Sequence, residues 1–383
     1  MRQTDSKKHP LRGLVINSIA AAALIWLGLS WPKILSGKSA WIEANYSETV
    51  YQWIRCAISS VTSLVPFSIA EILLYALVIF CGVFLLAKLY LFAKKCEGLP
   101  QLLKGIASLA LAGGILLNLF YVTWGFNYFR QPLSERMGLE ITQRGTDELE
   151  AFVLDTASQA KALRETLHED EDGVFSPQES WHTVFQNLPQ AYEALSASFP
   201  VFYSDVTQAK FVIWSEGLSM QGISGIYIGL TAEPNVNVLQ PPLLLYQAAA
   251  HEMAHQMGIA SENEAEFTAF LACENSSDPN VRYSGLIFAL IISGNALYQV
   301  DPDRYIEATE TYGDAIWRDL SDYDAYWDSF DGEVQQSADK RNDAYLKHNS
   351  QQSGILSYGE SVDLLLAYYA QYGLITDNAA AVG

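Results

Sequence analysis

The chain has 383 residues, half of them hydrophobic and 17% charged, which excludes a disordered chain and leaves ample material for a core. Its net charge of −20 is uneven: residues 1–130 hold 12 Lys+Arg against 5 Asp+Glu, residues 131–383 hold 11 against 38. So acidic a carboxyl-terminal part repels phosphate backbones, and nucleic acid is excluded as a partner.

Three apolar stretches lie in the basic part, at 14–31, 69–87 and 105–123. Each is near the length a helix needs to cross a hydrocarbon layer of ~30 Å. No small-x-small cleavage site follows the first, so it reads as a retained anchor rather than a signal peptide. Arg2, Lys7, Lys8 and Arg12 precede it, and Lys88, Lys94, Lys95 and Lys104 lie around the second connection. Basic residues stay on the cytoplasmic side. The amino terminus is therefore expected inside the cell, and residues 125–383 outside the cytoplasm. Between the first two spans, Trp41, Tyr46, Val50 and Trp53 recur at near-helical spacing and suggest a short interfacial helix. The four cysteines, Cys56, Cys81, Cys96 and Cys273, have no metal or redox spacing and read as structural or incidental.

Residues 1–124 thus form a membrane region and 125–383 a separate domain. Asn127, Tyr128 and Arg130 are expected to pack against the base of that domain. A helix is expected over 146–170. Ser176-Pro177-Gln178-Glu179 has the form of a capping box that opens another. At 210–214 and 224–229, branched and aromatic residues give two strands, and 233–238 is a further extended or loop piece. Pro241-Pro242 opens the helix LLLYQAAAHEMAHQMG, which Gly258 ends. Ser261 is placed to cap the next helix, with Glu264 at its third position. The apolar stretch 282–300 carries Gly285, Gly294 and Asn295 and reads as a buried domain helix, with a fourth span as the alternative. Residues 331–356 read as polar surface, 361–372 as a last helix, and 376–383 as a frayed tail.

The chemistry lies in His251-Glu252-Met253-Ala254-His255, an H-E-x-x-H pattern on a helix. At 3.6 residues per turn both imidazoles share one face and can grip one Zn²⁺. Glu252 beside them can hold a water, take its proton, and return it to a leaving amine. A third ligand is expected from Glu262, Glu264 or Glu266 on the following helix. Glu262 is the first choice, Glu266 a support that accepts a proton from a ligand imidazole, and Glu264 the remaining alternative. For the oxyanion the candidates are Tyr283, Tyr298 and Arg282, with Tyr283 preferred. Glu233, Asn235 and Asn237 are placed either along the cleft or in turns.

The segment 251–266 resembles the gluzincin class of zinc metallopeptidases, in which HExxH is followed on another helix by a glutamate motif. Glu262-Asn263-Glu264-Ala265-Glu266 is similar to their ExxAD and ExxAN forms, with Glu266 where those carry Asp or Asn. Only six residues separate His255 from Glu262, a shorter gap than usual in that class. The apolar amino-terminal spans, SGIYIG with EPNVNV, HEMAHQMGIASENEAEF and the RYSG at 282–285 resemble the DUF3810 family of bacterial membrane proteins. The resemblance implies a membrane-tethered peptidase and brings no substrate.

The expected fold is α+β: transmembrane helices, then a mostly helical zincin-like domain with a small sheet. The expected function is a membrane-anchored zinc peptidase, with one Zn²⁺ per chain, acting on peptide or protein near the bilayer. The competing reading is a non-catalytic structural or sensory membrane protein whose metal stabilises a peptide-binding domain. A third is hydrolysis of a non-protein amide, as in cell-wall peptide.

Overall fold

The computed structural model describes residues 5–142, 144–348 and 358–374. Its contacts divide the chain into two compact units. The first comprises residues 1–54, 69–130 and 229–231, the second 55–68, 131–228 and 232–383.

In the first unit, α1 (Asp5–Leu35) breaks at Gly37, whose φ of 73° suits a residue without a side chain. A continuous helical run follows: α2 (Ser39–Ile42), a π-helical stretch (Glu43–Val50), and α3 (Tyr51–Thr62), which leads into the second unit. The unit resumes with α4 (Ile69–Ala93), α5 (Leu99–Thr123) and a short 3₁₀ turn (Gly125–Phe129). α1, α4 and α5 carry apolar stretches of 25 residues each, longer than the sequence suggested. Apolar side chains cannot by themselves hold helices together in lipid, so small residues and polar bridges take over. Asn118 of α5 donates to the carbonyl of Leu24 at 2.8 Å and accepts from Trp31 Nε1 at 3.0 Å. Gly114 lets Leu24 approach closely.

A helical run covers the expected segment, with one residue placed differently from its pattern. Trp41, Val50 and Trp53 are exposed, but Tyr46 is buried and donates to the carbonyl of Val122 at 2.9 Å. The wide π turns change which residues share a face. Within the same unit Glu43 forms a buried two-bond ion pair with Arg130, at 2.6 and 2.9 Å, and Ser47 donates to Asn127 at 2.8 Å. Asn127, Tyr128 and Arg130 thus each have partners within the first unit, Tyr128 packing on Trp124.

The second unit is mostly helical. Its first part holds α6 (Leu133–Met137), α7 (Thr146–Arg164), α8 (Trp181–Asn187) and α9 (Pro189–Ser198). Then come β1 (Lys210–Phe211), α10 (Ser215–Ser219), β2 (Gly225–Ile228) and β3 (Glu233–Val236). α11 (Pro242–Gln256), α12 (Glu262–Glu274) and α13 (Pro279–Val300) form its centre. α14 (Pro302–Thr309), α15 (Asp314–Asp328), α16 (Glu333–His348) and α17 (Tyr358–Tyr372) complete it. The rest of the expected polar surface, 349–356, and the tail 376–383 lie outside the described residues.

α8 begins later than its capping-box pattern suggests. Its cap is Ser180, whose hydroxyl accepts the Thr183 amide. Ser176 instead donates its amide to the His168 carbonyl, next to a bridge between Glu169 and Phe175. The four cysteines are free.

The sheet order is β1-β3-β2, with β1 parallel and β2 antiparallel to β3. The segment left open as strand or loop is thus the central strand, fully buried. Pro234 is tolerated there for a local reason. The Asn237 amide bonds to the Ser224 carbonyl, so pairs alternate from that point and Tyr227↔Pro234 exchanges no ladder bond. Residues 55–68 belong to this unit. Arg55, fully buried, pairs with Asp205, and Lys210 bridges the Thr62 carbonyl and Glu233. Phe67 forms a parallel bridge with Phe211.

By length and composition α13 is also apolar enough to cross a membrane, making four such helices among the described residues. Its apolar window is 61% buried inside the protein, against 6–22% for α1, α4 and α5. It packs against α7, α11 and α12.

Candidate metal centre

α11 carries the two histidines into the core of the second unit. Pro242 starts it without losing a needed donor, and small Ala248, Ala249 and Ala250 are buried against neighbouring elements. Gly258, at φ 88°, turns the chain back so that α12 follows within four residues.

This turn brings His251, His255 and Glu262 together. Glu262 Oε2 lies 3.2 Å from His251 Nε2 and 3.6 Å from His255 Nε2, and the two rings stand 4.6 Å apart, nearly perpendicular. Ligands held at 2.0–2.1 Å around a tetrahedral ion are separated by roughly 3.3 Å. The two carboxylate–imidazole separations match that spacing and all three donors lie within 4.8 Å of one another, so this donor set fits zinc. His255 Nδ1 is 2.7 Å from the carbonyl of Ile259. A carbonyl only accepts, so Nδ1 carries the proton and Nε2 keeps its lone pair for the centre.

The electrostatics suit a cation. Burial pulls His255 down, but the carboxylates of Glu262 and Glu252 push it up to about 9. Burial raises Glu262, and the imidazoles outweigh it to hold the carboxyl well below its usual range. His251 is lowered, chiefly by burial. Without a metal, a proton on His255 occupies the place of a positive charge.

Glu252 sits beside the group, buried and pushed up to about 8, first by burial and then by Glu262. The Tyr227 amide of β2 donates to its carboxylate, while Oε2 has no hydrogen-bond partner. A Cβ on Gly225 would stand 2.6 Å from Glu252 Oε1, so glycine is what lets this carboxylate lie against β2. By the pair alternation above, the main chain of Gly225 and Tyr227 points to the side of β2 away from β3.

The other expected residues are placed elsewhere. Glu264 accepts the Leu133 amide at 2.6 Å and lies outside the group of converging donors. Ser261 begins α12, but its side chain makes no capping bond and donates instead to Asn263. Glu266 accepts from the Ser361 hydroxyl rather than from an imidazole, and burial pushes it up to about 8. Tyr283 is fully buried and donates to Asp319 at 2.6 Å, in a network where Arg164 and the Phe175 amide bind the same carboxylate. That placement gives no support to an oxyanion role. Tyr298 is exposed and packs on Tyr305. Glu233, Asn235 and Asn237 tie the sheet and its loops together: Glu233 holds Lys210, Asn235 the Ile226 carbonyl, Asn237 Ser219.

Gly225, Tyr227 and Ile259 were not singled out from the sequence. Two of them act through backbone atoms, which leave no mark in side-chain chemistry.

A family described as Protein of unknown function (DUF3810) matches residues 46–366. The chain belongs to this family. The DUF3810 match takes in all three converging residues, Glu252 and Ser361. Neither a curated protein nor a solved structure matches the chain.

Proposed function

We propose that the chain is a membrane-anchored zinc metallopeptidase of zincin-like design, its second unit facing away from the cytoplasm. The observation that carries this reading is the convergence of His251, His255 and Glu262 beside a buried carboxylate with one unpartnered oxygen. His251 and His255, through Nε2, and Glu262, through Oε2, would hold the ion. Zinc supplies Lewis acidity, which makes water a nucleophile near neutral pH and polarises a carbonyl.

The chain's own residues do the rest. Glu252 Oε2, free of other bonds, accepts the proton of the attacking water and later returns it to the departing amine. The Tyr227 amide steadies the other side of that carboxylate. Ile259 fixes the His255 tautomer. The Gly225 main chain, facing away from β3 beside Glu252, is the group on β2 that can align an extended peptide by strand addition.

Glu252→Gln is the test. The purified variant should bind zinc as the wild type does and lose peptide hydrolysis by at least a hundredfold, within the usual weight of a general base. The assay takes casein, membrane proteins and muropeptides as substrates. Equal cleavage by both proteins would overturn the mechanism. Zinc binding with no cleavage by either would favour the non-catalytic, metal-stabilised reading.

A further inference from the structure

Within the first unit, α1 and α5 run parallel and side by side. Asn17 donates to the Ser108 hydroxyl at 2.9 Å, and Asn118 to the Leu24 carbonyl at 2.8 Å. One turn before Asn17, a Cβ on Gly13 would stand 2.8 Å from Lys104 Cε and 3.1 Å from its Nζ. Lys104 therefore lays its stem across Gly13 of the neighbouring helix. α4 carries a counterpart at the end joined to α5. Lys88 lies five residues before the last residue of α4, Ala93, and Lys104 five residues after the first residue of α5, Leu99. At 1.5 Å per residue each is set roughly 7.5 Å inside its apolar stretch. A charge at that depth is costly unless it meets a partner, and in membrane helices it marks a site.

The two lysines are served differently. Lys88, its stem over Gly105, gives its ammonium to both oxygens of Glu97, at 2.9 and 3.1 Å. Between 88 and 104 four lysines face this single carboxylate, and it is spent on Lys88. Lys104 has no anionic partner among the described residues, nor has Arg12, the residue before Gly13. Two cations on adjoining helices repel each other, so the partner that suits both is an anion from outside the chain. The place says which kind. The apolar stretch of α1 begins at Leu11, two residues before Gly13, so the Lys104 ammonium reaches the polar boundary along an apolar stem. Basic pockets between membrane helices at that level take lipid headgroups.

We propose that Lys104 and Arg12, where α1 and α5 pair, bind the phosphate of an anionic phospholipid headgroup. The site lies wholly within the first unit and does not depend on the peptidase reading. A zwitterionic lipid brings its own ammonium and leaves the two cations uncompensated; a lipid with net negative charge satisfies both.

The test titrates the full chain, in neutral detergent, with phosphatidylglycerol, phosphatidylcholine and inorganic phosphate, counting bound lipid by native mass spectrometry. The expected result is saturable binding of phosphatidylglycerol, tighter than that of phosphatidylcholine. It should weaken about fivefold in Lys104→Gln and in Arg12→Gln, the usual weight of one basic side chain at a charged membrane surface. Lys104→Arg should restore it, and Lys95→Gln, at an exposed lysine of the α4–α5 connection, should leave it unchanged. Glu97→Gln, which releases Lys88, should tighten it. Equal affinity in Lys104→Gln, Arg12→Gln and Lys95→Gln would overturn the proposal, as would equal affinity for the two lipids. Displacement of the lipid by millimolar inorganic phosphate would assign the site to a soluble anion and overturn it as well. Should Lys104→Gln fail to fold, Arg12→Gln and Glu97→Gln, which change the local charge in opposite senses, carry the test.

Discussion

α4 and α13 are both long, apolar helices, yet they live in different solvents. In α4 nearly every apolar side chain is exposed, and Gly82 has open space around its Cα. In α13 the apolar face is enclosed, Ser284 accepts the Gln247 amide at 3.1 Å, and a Cβ on Gly285 would meet Cys273 at 2.4 Å. Hydrophobicity thus says that a helix avoids water; spaced small and hydroxyl residues say that it is packed by protein. The difference can be broken at several points.

The largest effect is expected at Asp319, the buried acceptor that binds Tyr283 of α13, Arg164 and the Phe175 amide. Asp319→Ala strips the buried Arg164 guanidinium of its two-bond carboxylate, leaving it only the half-exposed Glu169 and the Gly173 carbonyl, and should cost about 3 kcal/mol of stability, read by denaturant unfolding in detergent. Tyr283→Phe removes one donor and leaves the ion pair, so it should cost about 1 kcal/mol.

Metal comes next. At a free zinc concentration a hundredfold above Kd, the second unit should gain about 2.7 kcal/mol, seen as a rise in Tm that a chelator reverses. The gain should depend on pH in a defined sense. His255 and Glu252 have folded pKa values of about 9 and about 8, above their ordinary values. Their contribution to the metal-free protein is fully present below the unfolded values and fades as pH rises through 8 and 9. Glu262, depressed, contributes above its ordinary value and fades only as pH falls through its lower folded one. The metal-free protein should therefore weaken between pH 7 and 10. Zinc binding at pH 7 should release at least one proton, measurable by calorimetry in buffers of different ionisation enthalpy. No release would mean that the metal does not displace the His255 proton.

Gly285→Leu should cost about 1–3 kcal/mol through overpacking, whereas Gly82→Leu in α4 should leave Tm unchanged. The smallest effects contrast two serines. Ser180→Ala removes a working cap and should cost about 1 kcal/mol. Ser261→Ala, whose hydroxyl caps nothing, should stay within about 0.5 kcal/mol.

Much of the site was legible because helical periodicity alone puts His251 and His255 on one face. Glu262 followed from the glycine turn and the next helix. The Glu266 contact has no local pattern in the sequence, since its partner, Ser361, lies 95 residues further along. Nor does the Tyr283 contact: one tyrosine on an apolar helix looks like any other, and Asp319, its acceptor, is 36 residues away. In the fold, the three long apolar helices were plain from composition. β3 was left undecided because Pro and Asn mask a strand whose ladder happens to skip the proline. The π turns of 43–50 carry no residue signature, so the inward turn of Tyr46 could not be anticipated.

The segment 55–68 has a consequence for biosynthesis. It leaves the ribosome some 150 residues ahead of Asp205 and Lys210, its buried partners. Between those events the chain must thread two more apolar helices. Arg55 therefore has no Asp205 to pair with until that part of the chain is made. The order of synthesis keeps this early loop unlocked until the middle of the chain has been translated.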